Sequence, residues 1–421
     1  MYNYSFSIIT PTHSRANLPY LIELYESIIS QTYKHWEWII YLNGELKKTD
    51  LPLTILNNKK IRVFRYDGEN TNIGFLKSNA FSLAVNDIFV EVDHDDMITF
   101  DCLHELNVAY QNKEYGFVYS NNAIYHMDNA FIPYDNSYGW TYTNFDYKGK
   151  KLIAMNSFEP SSHSVGLIWY APDHIRSWRK EVYYEVGGYD PNRYICDDHD
   201  ILLRTFLKTK FYFIPKVLYI YRVTGNNTYL KRNEEIQTTT VNLFLEYAQR
   251  LAEKEADDLG LLKIDLGGGI NGKNGYTTID LENGDIIHDL NKGIPLEDNS
   301  VYVVNASHII EHLHDKHFTM KEIHRVLAHG GWVFIEVPST DGRGAFQDPT
   351  HVSYWNENSF LYYTSAYLGN FIKNTDIRFQ EFRRHTWFPN EWLKSLNVCV
   401  TSWWAVANKP GGKRLPGKLE I

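Results

Sequence analysis

Short β-rich runs alternate with helical stretches through residues 4–92, and that alternation admits few folds. Residues 4–10 (YSFSIIT) are β-rich and stop at Pro11. Residues 17–31 follow, with Leu18, Leu21, Ile22, Tyr25, Ile28 and Ile29 at helical spacing, which predicts an amphipathic helix. WEWIIYL (36–42) and KIRVFRY (60–66) read as strands, 75–86 as a helix and IFVEV (88–92) as the next strand. Strands that alternate with helices predict a mostly parallel sheet. Such sheets bind ligands outside the carboxyl ends of their strands. Three of those ends carry suitable groups: Thr10-Pro11-Thr12, Asn43-Gly44, and the turn from Asp93 to Asp96.

The last of these ends abruptly in acid. Asp93, Asp95 and Asp96 surround His94 in IFVEVDHDDM. Crowded carboxylates repel one another and cost stability unless a cation sits among them. A divalent metal carrying a phosphorylated ligand meets that need. Taken alone, the stretch fits a helix-capping turn equally well.

The bulk of the chain narrows the classes. Its 421 residues suit two or three domains. A net charge of -9 without a long basic run speaks against general nucleic-acid binding and against attraction to an anionic membrane. Cys102, Cys196 and Cys399 lie far apart in no metal-ligand spacing, which fits a reducing compartment. The N-terminus has no basic segment followed by an apolar core. No stretch reaches the roughly 18 apolar residues of a membrane span. The expectation is a soluble, cytoplasmic protein without a transmembrane segment.

Five segments stand in an informative order: SIITPTHSR (7–15), NIGFLKSNAF (72–81), VEVDHDDM (90–97), GGYDPNRYICDDHDILLRTF (187–206) and IYRVTGNNT (220–228). This succession resembles the family 2 glycosyltransferases of the GT-A fold. The resemblance implies transfer of a sugar, with inversion, from a nucleotide-sugar donor to a glycan or glycolipid acceptor. It places Thr10, Pro11, Thr12, Asn43, Lys77, Asp93 and Asp95 beside the nucleotide sugar. Asp95 and Asp96 would hold a Mn2+ or Mg2+ ion bridging the diphosphate, where a hard cation on oxygen ligands stabilises a departing anion. Asp198 matches the general base that deprotonates the acceptor hydroxyl, with Asp197 in support. Helix capping by these acids is compatible with that role. Three positions depart from the family pattern: Asn43-Gly44 replaces acids, Asp197 replaces Glu, and Thr224 stands near a usual histidine. Trp140, Tyr142, Tyr147, Trp169 and Tyr170 suit either sugar stacking or core packing, the commoner role.

A polar helical stretch over 234–260 then connects to a second αβ pattern, dividing the chain into 1–233, 234–260 and 261–421. Strands are expected at 261–266, 276–281, 286–290, 301–306 and 331–337, a helix at 318–327, and two closing β-rich stretches at 379–388 and 398–408. Gly267, Gly268 and Gly269 directly follow the first strand, where a glycine run lets backbone approach a ligand closely. The run is followed by Asp280, Asp289, IIEHLHD and RVLAHGGWVFIEVP. This order resembles the class I S-adenosylmethionine-dependent methyltransferases. The resemblance implies that Asp265 and Gly267 to Gly269 flank the methionine part of S-adenosylmethionine, Asp280 its ribose and Asp289 its adenine. His312 is the candidate base for an oxygen acceptor, with His308, His314, His317 and His351 competing. HLHDKH (312–317) has no standard zinc spacing and reads as a solvated helix end. INGKNGY (270–276) is short where many relatives have a helix.

The chain thus reads as two Rossmann-like α/β domains, a GT-A glycosyltransferase fold followed by a class I methyltransferase fold. Their fusion suggests sugar addition coupled to methylation of the same glycan. The alternative is a methyltransferase-like domain that serves as a non-catalytic binding or assembly module.

Overall fold

The computed structural model describes residues 2–127, 133–134, 136–225, 227–373 and 376–417. They form two units, Met1–Ala248 and Gln249–Ile421. In the first, β1 (Phe6–Thr12), α1 (Leu18–Ile29), β2 (Trp36–Leu42), α2 (Leu53–Leu56), β3 (Ile61–Arg65), α3 (Ile73–Ser82) and β4 (Ile88–Glu91) follow one another. The four strands are parallel in the order β3-β2-β1-β4. Phe6, Ile8, Trp38, Ile40, Ile88 and Val90 are buried in one core with Leu21, Leu24 and Ile28 of α1. Helix α3 starts earlier than its apolar spacing predicts, because Asn72 caps it by accepting from Gly74 N at 3.0 Å.

The sheet continues through segments whose composition hides them. These are β5 (Met97–Ile98), α4 (Cys102–Ala109), β6 (Tyr115–His126), β7 (Thr141–Tyr147), β8 (Lys150–Asn156), α5 (Ser162–Leu167), β9 (Arg176–Arg179), α6 (Lys180–Glu185), α7 (Asp197–Phe206) and β10 (Lys210–Val223). Strand β9 runs antiparallel between β4 and β6, and β10 is parallel to β6. The short α8 (Thr228–Lys231) and the long α9 (Asn233–Leu259) follow.

The second unit carries β11 (Leu262–Leu266), β12 (Thr277–Asp280), β13 (Ile286–Ile287), β14 (Val301–Ser307), α10 (Lys316–Val326), β15 (Leu327–Pro338), α11 (Gly344–Gln347), α12 (Glu357–Thr364), β16 (Arg378–Trp387) and β17 (Val400–Asn408). Its seven-stranded sheet has the order β13-β12-β11-β14-β15-β17-β16, with the first five parallel and β17 antiparallel to both neighbours. Strand β13 stops well short of residue 290 because Asp289 accepts from Asn291 N at 3.0 Å and opens a turn. No helix among the described residues is long and apolar enough to cross a membrane.

One contact fixes where the acid-bearing α7 lies. Gly74 N donates to Arg193 O at 3.0 Å. A Cβ at Gly74 would stand 2.1 Å from Asp190 O and 2.6 Å from Arg193 O. The chain leading into α7 therefore rests on the first turn of α3. Gly74→Ala is expected to destabilise the first unit by about 1–3 kcal/mol through overpacking, read as a lowered urea midpoint. An unchanged midpoint would show that the 190–193 loop is not held there.

Candidate active sites

In the first unit, buried charges meet at the carboxyl edge of the sheet. Lys77 Nζ of α3 lies 2.7 Å from Glu91 Oε1 and 2.9 Å from Asp197 Oδ2. Glu91 closes β4 and is fully buried. Arg176 of β9 donates to Asp198 Oδ2 at 2.8 Å and stands 3.9 Å from Glu91 Oε2. Burial raises the Asp198 carboxyl, but Arg176 and Lys77 outweigh it and hold it well below the usual range. Glu91 is lowered on the same balance, burial against Lys77 and Arg176. Asp197 is raised, burial prevailing over Lys77. Cys196, with a left-handed φ of 51°, turns the chain so that both aspartates fall on the first turn of α7.

The acid turn after β4 is clamped from β10. Tyr219 Oη donates to Asp96 Oδ2 at 2.7 Å and Arg222 N donates to Asp96 Oδ1 at 2.7 Å. Arg222 Nε donates to Asp95 O at 2.7 Å. Asp96 is 1% exposed and anchors the turn. Burial, with Asp95 and Asp93 adding, pushes its carboxyl well up. Asp93 and Asp95 instead line a cavity of about 1320 Å³ together with Pro11, Thr12, Asn43, Lys77 and Asp198. Thr10 faces the interior: its Oγ1 donates to Val92 O at 2.8 Å and accepts from Trp38 Nε1 at 3.0 Å.

The donor set fits a hard cation. Burial pushes Asp93 up to about 7, with Glu91 and Asp95 adding to it against the pull of Lys77. Burial is the main cause, and it disfavours the ionised carboxylate in the absence of a further positive charge. Asp93 and Asp95 offer carboxylate oxygens to a Mn2+ or Mg2+ ion from the cavity wall. Thr224 also lines the cavity, its N–H donating to Asn227 Oδ1 at 2.9 Å, while Asn226 lies outside the described residues. A second cavity of about 740 Å³ shares Trp169, Tyr170, Thr224 and Tyr229 with the first and adds Tyr134, Tyr138 and Trp140. Tyr147 packs instead in a separate cluster with Met97 and Leu152.

The residues that sequence reasoning missed are Glu91, Arg176, Tyr219 and Arg222. An acid inside the apolar run of β4 was a legible signal for Glu91. Arg176 and Arg222 gave none, since charged residues in strands ordinarily read as solvent-facing.

In the second unit, Gly267 has φ +71° and a Cβ there would lie 2.6 Å from Ile309 Cδ1. A Cβ at Gly268 would lie 2.4 Å from Asp265 Oδ2. The turn is thus a cradle of bare backbone at the end of β11. Asp265 shapes that cradle, accepting from Lys273 N at 2.9 Å and Asn305 Nδ2 at 2.7 Å. Asp280 ends β12 and accepts from Glu282 N at 3.0 Å and Asn283 N at 3.1 Å. These and other backbone N–H groups hold its carboxyl below the usual range. Beside it Leu281 is 64% exposed, an apolar surface suited to a purine. Asp289 is engaged by Asn291 and Lys292. A 3-10 turn, Gly269–Asn271, stands where a helix is usual. The backbone cradle, the strand-end carboxylate and the exposed apolar side chain would suit S-adenosylmethionine. His312 Nδ1 lies 3.2 Å from Thr350 O and 3.1 Å from Thr350 Oγ1. In the HLHDKH run Asp315 caps α10, accepting from Phe318 N at 2.9 Å.

The fold is mixed α/β, GT-A-like in the first unit and methyltransferase-like in the second. Residues 7–167 match the family Glycosyl transferase family 2, and residues 270–335 match a family described as Methyltransferase domain. The chain therefore joins a glycosyltransferase family 2 domain to a methyltransferase-like domain. No curated protein sequence matches the chain. Among solved structures, S. aureus TarS 1–349 is similar at 13% identity, over 61% of this chain and 70% of that one, with a TM-score of 0.43. The longer S. aureus TarS gives 16% identity over 61% and 43%, with a TM-score of 0.41. The mannosyltransferase PcManGT from Pyrobaculum calidifontis, solved with GDP-Man and Mn2+, gives 15% identity over 62% and 65%, with a TM-score of 0.36.

Lys77→Met removes the cation between two buried carboxylates. It is expected to cost about 3–5 kcal/mol in urea denaturation, and an unchanged midpoint would remove Lys77 from this role. His174 gives a pH test. Burial, aided by Arg176, pushes its pKa down to about 3 from 6.5. The native state then binds fewer protons than the unfolded one between those values. Stability should therefore fall as pH drops below about 6.5, by at most about 1.4 kcal/mol per unit, and level off near 3. The ring stacks on Tyr219 at 4.6 Å, so His174→Phe keeps the packing and should flatten that acid slope.

Proposed function

We propose that the first unit is an inverting glycosyltransferase acting on a nucleotide-sugar donor and a glycan or glycolipid acceptor. The observation that supports this most is Asp198, an ionised carboxylate at the wall of the cavity that Asp93 and Asp95 also line. Asp93 and Asp95 hold the donor side, and Asp198 receives the acceptor hydroxyl's proton. The acceptor oxygen bonds to the anomeric carbon as the bond to the diphosphate oxygen breaks, its electron pair leaving with the phosphate. A bound Mn2+ or Mg2+ supplies charge compensation for that leaving group. Arg176 keeps Asp198 a weak base, so proton uptake belongs to the stage at which attack has already made the hydroxyl acidic. Trp169 and Tyr170 border both cavities and suit an acceptor sugar face.

The second unit is a methyltransferase for a hydroxyl of the same glycan. Gly267 to Gly269 and Asp280 bind and orient S-adenosylmethionine, whose sulfonium supplies the methyl group. The engaged carboxylates of Asp265 and Asp289 favour a second reading, an assembly module without catalysis. On the first reading residues 1–233 and 261–421 carry the two activities, joined through 234–260.

Asp198→Asn is expected to lower sugar transfer by about 10²–10⁴-fold while a thermal-shift assay shows the nucleotide sugar still bound. Turnover close to the unsubstituted rate would sink the assignment. For the second unit, labelled methyl donor, sugar nucleotide and acceptor glycan are incubated with the full chain. Label in the glycan, lost in Asp280→Ala, supports methylation. Calorimetry showing no S-adenosylmethionine binding supports the module.

A further inference from the structure

The second unit gathers a ligand set that its family assignment does not use. Glu311 and His312 follow β14, and His351 comes from the loop after α11. One ligand atom from each of the three lies within 4.8 Å of the other two. The Glu311 side chain is 3% exposed, yet neither of its carboxylate oxygens receives a hydrogen bond among the described residues. His308 Nδ1 stands 3.6 Å and His351 Nε2 4.0 Å from Glu311 Oε1. A buried carboxylate without hydrogen bonds is costly, which calls for a partner at that point.

The histidines are presented as ligands. His351 Nδ1 lies 2.9 Å from Ala345 O. A carbonyl only accepts, so Nδ1 carries the proton and Nε2 keeps its lone pair. His312 Nδ1 is likewise held at Thr350 O, 3.2 Å away, which frees its Nε2. A ring nitrogen tied to a carbonyl, with the other left bare, is the arrangement that fixes a metal-bound imidazole. The loop bearing His351 is itself pinned. Val352 N and Ser353 N both donate to Glu311 O at 2.9 Å, and Ser353 Oγ donates to Ile310 O at 2.9 Å.

We propose that Glu311, His312 and His351 bind a divalent first-row transition cation. Two imidazoles and one carboxylate suit such an ion and leave coordination positions open. Metal bonds of about 2.0–2.2 Å require the three ligand atoms, now within 4.8 Å of one another, to draw closer together. The site adjoins the cofactor turn, since Ile309, two residues before Glu311, packs against Gly267. Its open positions take the acceptor's hydroxyl oxygen and favour the alkoxide beside the methyl donor; this part rests on the methyl-transfer reading. The O–H proton passes to solvent and the oxygen bonds to the methyl carbon. The carbon–sulfur bond breaks with its electron pair kept on sulfur. His312 is then a ligand and not the base.

The test uses the full chain carrying Asp95→Asn, so that the first unit's acid turn does not compete. After chelation, Zn2+ is titrated by calorimetry. One equivalent should bind, and Glu311→Gln or His351→Gln should weaken it at least about 100-fold. Equal affinity in all three proteins overturns the site. Should a variant fail to fold, Cu2+ bound to the unsubstituted ligand set decides by electron paramagnetic resonance. Splitting from two imidazole nitrogens supports the site, and oxygen-only ligation overturns it. S-adenosylmethionine binding is measured separately. Its absence with Zn2+ still bound overturns the methyl-transfer reading alone.

Discussion

The first unit depends on a buried cluster in which Lys77 and Arg176 hold Glu91, Asp197 and Asp198. Left unpaired in the interior, such acids would be neutral or the fold unstable. The cluster therefore decides which segments must lie together: a helix after β3, the end of β4, the start of β9 and the start of α7. It also divides labour among the acids. Those that meet Lys77 and Arg176 are ionised or structural. Asp93 and Asp95 stand outside those ion pairs and line the cavity.

Much of this half was legible because its first four strands are apolar runs broken by clear turns. The rest of the sheet was not. Strand β9 reads RSWR, a sequence that suggests a surface turn, yet Arg176 is 1% and Arg179 7% exposed. Both are buried because the fold offers them acceptors: Asp198 for Arg176, and Tyr110 O, Asn112 O and Tyr115 O for Arg179. Strand β6 also buries Ser120, Asn121 and Asn122 in its middle. Asp198 was legible as an acid ahead of an apolar helix. Its guanidinium partner, 22 positions earlier, had no periodicity to betray it. Among the acids of the turn, sequence gave Asp95 and Asp96 equal standing. Only the hydrogen bonds from Tyr219 and Arg222 tell the buried anchor, Asp96, from Asp95 at the cavity wall.

In the second half composition marked two closing β-rich stretches, and the resemblance to class I methyltransferases made them the last strands of a sheet, which β17 and β16 are, both antiparallel to their neighbours. Histidine was the opaque part. Sequence spacing draws attention to HLHDKH, whose residues diverge into the cap of α10. The histidine that meets Glu311 and His312 is His351, brought there by backbone hydrogen bonds that no side-chain pattern announces.

The contact at Gly74 has a consequence for how specificity can drift. What Gly74 touches are the carbonyl oxygens of Asp190 and Arg193, groups common to every amino acid. The loop's seat on α3 is thus made by main-chain atoms, while Asp190 Oδ1 accepts from Asn192 N at 2.9 Å and Arg193 Nη2 stands 3.5 Å from Asp200 Oδ1 within and beside the loop. The side chain of Pro191 on it is exposed, and a substitution there leaves the main-chain contact with Gly74 in place. A lineage built on this frame can change such an exposed loop side chain while the first turn of α7, with Asp197 and Asp198, stays where it was.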